Sequence, residues 1–146
     1  MEIEIRITPE YKIPKAIILT AEITDEINSV VARLNSSAPK MITGIRDNEV
    51  RVLAENEIIR VYSSSGRIIA ETNDGEYIIR RRLYEMEECL DAERFVRISN
   101  SEIVNLKKVK GFDMSFTGTI RVTLSSSSVT YVSRRYVSKI KKLLGV

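Results

Sequence analysis

Glu93-Arg94-Phe95-Val96-Arg97-Ile98-Ser99-Asn100-Ser101-Glu102-Ile103-Val104-Asn105-Leu106-Lys107-Lys108-Val109 is the stretch around which the rest of the chain is organised. Phe95 to Ile98 is an apolar strand signal, Ser99-Asn100-Ser101 is a small polar cluster, and Ile103, Val104 and Leu106 lead back into the basic Lys107, Lys108 and Lys110. Side chains that both donate and accept are thus held between two apolar anchors, an arrangement that presents hydrogen-bonding groups outward. Further on, the strand pattern Val129 to Val132 runs into Ser133-Arg134-Arg135-Tyr136. A basic helix follows, with Ser133 as its expected cap and Val137, Ile140 and Leu144 as its apolar stripe.

Charge separates this last third from the remainder. Residues 1–93 hold 12 Lys and Arg against 18 Asp and Glu, and residues 94–146 hold 11 against 2, within a net charge of only +3. An excess of positive charge confined to the segment with the polar loops is the footprint expected for a phosphate backbone; the plainer alternative is a solvated basic face. With 146 residues, 43% of them hydrophobic, the chain can bury one good core and a small appended subdomain. It has no histidine and one cysteine, Cys89, so an internal disulfide, a zinc site and histidine-dependent catalysis are excluded. Cys89 is read as packing. No apolar run has membrane-spanning length and no signal-peptide pattern opens the chain, which therefore reads as cytoplasmic, without membrane insertion.

Working back toward the start, Leu83, Met86, Glu87 and Leu90 mark a short helix. Before it, strands are expected at Met41–Ile45, Val50–Leu53, Ile58–Tyr62, Ile68–Thr72 and Tyr77–Arg80, separated by turn chemistry at Asp47-Asn48, Ser63-Ser64-Ser65-Gly66 and Asn73-Asp74-Gly75. Ser36-Ser37-Ala38-Pro39 is the expected boundary. Residues 1–40 then form a small α/β appendix of two strands, Glu2–Ile7 and Lys15–Leu19, and a helix capped by Thr24 with Ile27, Val30, Val31 and Leu34 on one face. Too small to stand alone, the appendix must cover something: its own domain, a second copy or a controlling protein. On the C-terminal side, Lys108–Phe116 and Thr119–Leu124 read as a hairpin, with Ser125 to Ser128 as a turn. The fold expected is mainly β (α+β), an elongated arrangement of small antiparallel sheets with short helices.

The pattern RFVRISNSEIVNLKKV, a hairpin, then VSRRY leading into KIKKLLG resembles the LytTR DNA-binding domain of bacterial transcriptional regulators, over residues 41–146. The resemblance implies a stand-alone regulator, since residues 1–40 are far too few for a phosphorylatable receiver domain. It implies that the Ser63–Arg67 loop enters the major groove, making Ser65 and Arg67 candidate contacts. Arg97, Ser99 and Asn100 belong to a second contacting loop; family members commonly carry a histidine where this chain has Ser99, and Asn100 matches a groove-contacting position. An asparagine amide can pair with adenine N6 and N7, and an arginine fork with guanine O6 and N7. Arg135 matches the family's groove-contacting arginine, with Arg134 on the backbone, and Lys107 and Lys108 are assigned to phosphates. Asn105 is taken as structural.

The function expected is a sequence-specific DNA-binding transcriptional regulator that inserts loops into the major groove of repeated half-sites, as a homodimer, with no cofactor, metal or catalytic residue. The alternative is a non-enzymatic protein-interaction module whose basic face binds an acidic partner.

Overall fold

A computed structural model describes residues 1–35 and 41–146, so the expected boundary at Ser36 to Pro39 lies outside the described residues. The chain divides into two units, Met1–Pro39 and Lys40–Val146.

In the first unit the two expected strands do not form. Residues 1–24 carry only turns and unpaired backbone, and Ile3, Ile5, Ile7, Ile13, Ile17 and Leu19 are exposed. Period-two alternation specifies which face a strand would bury, but a strand also needs a neighbour to take its N–H and C=O groups. The expected helix does form, as α1 (Asp25–Asn35). The Ile27 N–H donates to Thr24 Oγ1 at 3.3 Å, as the cap requires.

The second unit is mostly strand. β1 (Ile42–Arg46), β2 (Glu49–Leu53), β3 (Ile58–Ser64), β4 (Arg67–Thr72) and β5 (Gly75–Ile79) precede α2 (Leu83–Cys89). Then come β6 (Phe95–Ser99), β7 (Glu102–Asn105), β8 (Val109–Asp113), β9 (Ile120–Leu124), β10 (Val129–Val132) and α3 (Arg134–Leu144). Seven strands make one antiparallel sheet in the order β2-β1-β5-β4-β3-β7-β6, and three make a second in the order β10-β9-β8. The turn chemistry explains the tight hairpins: Asp47 and Asn48, and Ser65 and Gly66, all have positive φ, the two-residue connection whose twist suits antiparallel strands.

Two cores lie on the two faces of β3, β6 and β7. Ile58, Val61, Phe95 and Ile103 pack with Leu83, Met86 and Leu90 of and after α2 on one side. Ile59, Val96, Ile98 and Val104 pack with Ile120, Val122, Leu124 and Val132 of the small sheet and Ile140 of α3 on the other. Burial on both faces is why these strands read as runs rather than alternations. The apolar return through Ile103 and Val104 is itself a strand, β7, with all four residues buried. Each fully buried isoleucine, leucine, methionine or valine contributes on the order of 1.5–3 kcal/mol, and such side chains of both clusters, Ile58 and Ile103 on one face and Ile98 and Ile140 on the other among them, hold the sandwich together.

A polar seam also joins the sheets. Arg60 on β3 pairs with Glu71 on β4 at 2.5 Å and with Glu102 on β7 at 3.0 Å. From the small sheet, Ser128 donates to Glu71 at 3.1 Å and Thr130 donates to the second oxygen of Glu102. Beside it, the Tyr62 hydroxyl donates to Glu76 at 2.7 Å, and the Arg60 guanidinium lies over the Tyr62 ring, 4.4 Å from its centroid. Burial first, and that bond to Glu76 second, push Tyr62 up to about 12. For Arg60, burial alone lowers the pKa, and the two carboxylates outweigh it and raise it above its ordinary value.

Candidate nucleic-acid interface

Strand direction brings three connections to one end of the second unit. β3 is antiparallel to β7, with Tyr62 opposite Glu102, so the Ser65-Gly66 tip lies beside the Ser99-Asn100-Ser101 turn. The Ser63 N–H donates to the Ser101 carbonyl at 2.8 Å. The start of α3 is tied to the same place: the Ser133 N–H donates to the Ile98 carbonyl at 2.9 Å, and the Tyr136 hydroxyl donates to Asn100 Oδ1 at 3.2 Å. The structure therefore brings together Ser65, Arg67, Ser99, Asn100, Arg134 and Arg135. Ser133 stands at the N-cap of α3, but its hydroxyl makes no capping bond, contrary to expectation. At the other end of α3, Gly145 adopts the left-handed conformation that closes a helix.

Within the turn, each side chain has a distinct task. Ser99 Oγ accepts from the Ser101 N–H at 3.2 Å and lies 3.2 Å from the Ser101 hydroxyl, which folds the loop on itself. Arg97 donates to the Ser99 and Asn100 carbonyls at 3.0 and 2.6 Å and pairs with Glu87 of α2 at 2.7 Å. All of those contacts are internal, and Arg97 is mostly buried, so its place is behind the turn rather than on its surface. Asn100 is exposed, and among the described residues its amide N–H groups have no protein partner. Tyr136, which sequence reasoning did not single out, orients that amide; the signal available was an aromatic with a polar tip three residues after the expected cap.

Arg67, Arg134 and Arg135 are exposed, and none forms an ion pair among the described residues. Arg134 runs beside Gly118 in the β8–β9 connection, where an added Cβ would come within 3.3 Å of its Nε. That connection is braced by Asp113, whose carboxyl is held below the usual range by the Ser115 hydroxyl and N–H and by Arg121. On the other flank, Gly66, Arg67, Ile68, Arg80, Arg81 and Arg82 line a shallow cleft beside the hairpin tip. Arg81 is spent on the Met41 carbonyl and Cys89, whereas Arg80 and Arg82 are exposed. Lys107 and Lys108 do not join this group. They sit in a single 3₁₀ turn, Leu106–Lys108, at the far end of β7, about 13 Å of strand away at the usual rise per residue.

Residues 48–145 match the model of the LytTr DNA-binding domain. The chain belongs to that family. The LytTr DNA-binding domain of a Bacillus cereus protein superposes with a TM-score of 0.70 at 20% identity, covering 73% of this chain and 99% of that one, so the mainly β fold with short helices is the family's fold. Relatives from Staphylococcus aureus strains NCTC 8325 and COL, named as uncharacterized HTH-type transcriptional regulators, are each 29% identical over 126 residues, covering 86% of this chain and 85% of theirs. That match is longer than residues 40–146, so it extends into the first unit. In this LytTr chain, however, five strands separate α1 from α2 and five more separate α2 from α3, so among the described residues no helix-turn-helix exists. The connections that carry its exposed basic and polar side chains converge at the cluster described above. Among the described residues, no helix is long and apolar enough to cross a membrane.

Proposed function

We propose that this LytTr protein is a sequence-specific transcriptional regulator that acts by binding duplex DNA without catalysing a reaction, with Asn100 and Arg135 in the major groove. The observation that carries this reading is the Tyr136 to Asn100 hydrogen bond, which sets an exposed amide beside two exposed arginines at the start of α3. Ser65 and Arg67 at the neighbouring hairpin tip, with Arg80 and Arg82, supply a second basic edge toward the same groove or its phosphates. Arg97 and Ser99 act by shaping the turn. Lys107 and Lys108, being at the other end of β7, would meet only a flanking phosphate on a long or bent duplex. Two copies on repeated half-sites would require a spacing of about 10 base pairs or a multiple of it.

Selection of binding sites from random duplex DNA, run on the wild type and on Arg135→Ala, tests the proposal. The wild type should enrich a repeated motif, and the variant should lose one position of it while keeping weak binding that is sensitive to salt. A log–log salt slope of about −5 is expected if five or six basic groups meet phosphates. Arg135→Lys separates DNA from an acidic protein partner: a guanine contact loses its bidentate fork, whereas an acidic surface tolerates lysine. No enrichment by the wild type would defeat the reading.

A further inference from the structure

The first unit carries a run of exposed apolar side chains among the described residues. Ile3, Ile5 and Ile7 are 80%, 83% and 94% exposed, and Ile13, Ile17, Leu19 and Ile23 are exposed beside them in sequence. The polar residues of Glu2 to Ile7 already share one side: Arg6 Nε lies 2.8 Å from Glu4 Oε1, the two-residue contact that extended backbone allows. In an extended backbone the alternation assigns Ile3, Ile5 and Ile7 to the opposite side. α1 adds the stripe Ile27, Val30, Val31 and Leu34, and a helix of its length is marginal in water without something to pack on.

We propose that this segment is a homodimer seam in which Glu2 to Ile7 pairs antiparallel with the same residues of a second copy, centred on Ile5. Charge selects both the partner and the register. Isoleucines of two copies share a face only if the two-fold axis passes through a residue. Centring on Ile3 opposes Glu2 to Glu4, centring on Glu4 opposes that carboxylate to itself, and centring on Arg6 opposes two guanidiniums. Centring on Ile5 sets Glu4 opposite Arg6 twice, Ile3 opposite Ile7 twice and Ile5 opposite itself. A parallel, in-register pair would place every Glu against its own copy. The Ile5 register is thus the one with opposite charges along one face and an unbroken apolar row along the other. Two strands alone are marginal, and the α1 stripe with Ile13, Ile17 and Leu19 supplies the apolar cover that each ribbon needs.

This goes beyond DNA binding and is tested without DNA. The mass of the full-length protein in solution is measured by sedimentation equilibrium for the wild type, Glu4→Arg, Arg6→Glu and an equimolar mixture of the two variants. The wild type should have the mass of two chains at ten micromolar. Each variant alone opposes like charges at both crossings and should dissociate at least roughly tenfold more readily, given about 0.2–1 kcal/mol per cross-strand pair lost and repulsion in its place. The mixture restores both opposite pairs and should return to two chains. A wild type that stays a single chain at a hundred micromolar overturns the proposal, as does either variant dimerising like the wild type or a mixture that fails to recover. Far-ultraviolet circular dichroism establishes that each variant keeps its folded second unit.

Discussion

Asn100 and Asn105 stand at the two ends of one short hairpin arm, five residues apart, and the fold uses the same side chain in opposite ways. Asn105 is buried; its Nδ2 donates to the Ile58 carbonyl at 2.8 Å and its Oδ1 accepts from the Lys107 N–H at 3.0 Å. Asn100 is exposed, held by one bond from Tyr136, and keeps its N–H groups toward solvent. An amide whose hydrogen-bonding capacity is spent inside the protein specifies structure, and one whose capacity is left over can specify something else. Residue type cannot distinguish the two roles; direction along the strand can.

Replacing each in turn should break the comparison most sharply. Asn105→Ala leaves the Ile58 carbonyl without its partner in a buried site and removes the bond to the Lys107 N–H, and should cost about 2–3 kcal/mol, with Tm falling on the order of 10 °C. Urea unfolding measures it, and a loss below about half a kcal/mol would show that the amide does not hold β7 to β3. For Asn100→Ala, stability should stay within about 0.5 kcal/mol of the wild type, while discrimination at one base pair of the selected site falls by about 1–3 kcal/mol. Competition binding against the substituted site reports this, and unchanged discrimination would remove Asn100 from the readout. Tyr136→Phe should act on the same position more weakly, by about 0.5–1.5 kcal/mol, because the amide remains but loses its orientation. If binding were unaffected by Tyr136→Phe while Asn100→Ala was damaging, orientation by Tyr136 would be discarded.

A further effect, confined to alkaline pH, lies away from the interface. Tyr62 is raised to about 12 from its ordinary 10.0, so the fold favours the protonated phenol. That contribution is fully present below pH 10 and is lost as pH rises from 10 to 12. In an ultraviolet titration, the phenolate step that disappears in Tyr62→Phe should lie near pH 12; a step near 10 would mean that in solution Tyr62 is neither buried nor bonded to Glu76 as described.

Most of the strands were legible because each carried its own signal. In β1 to β5 apolar residues come at strand spacing and Asp47-Asn48 or Ser65-Gly66 supply the positive φ of a tight turn, so the reading and the structure differ by a residue or two at the ends. β7 was obscured by Glu102, a carboxylate in a fully buried strand, because its partners Arg60 and Thr130 lie 42 and 28 residues away. The strands of the first unit went the other way: the alternation of Glu2 to Ile7 is plain, and among the described residues no strand pairs with it. At the candidate site, Asn100 and Arg135 could be picked out from their motifs and Asn105 was recognised as structural. The internal engagement of Arg97 by Glu87, and the distance of Lys107 and Lys108 from the cluster, follow from topology alone. A linear reading counts basic residues without knowing at which end of a strand each one emerges.

The position of β3 has a consequence during synthesis. Its neighbour β4 follows at once as a hairpin, but the strand on its other side, β7, is made only after residues 65–101. At ribosomal rates of about 5–20 residues per second, one edge of β3 waits roughly two to eight seconds for its partner. That edge belongs to Ile58-Ile59-Arg60-Val61-Tyr62, the kind of apolar segment that joins its copies on neighbouring nascent chains. Arg60 interrupts it with a charge that must find Glu71 and later Glu102, and so serves the growing chain as a gatekeeper before it serves the finished fold as a tie between sheets.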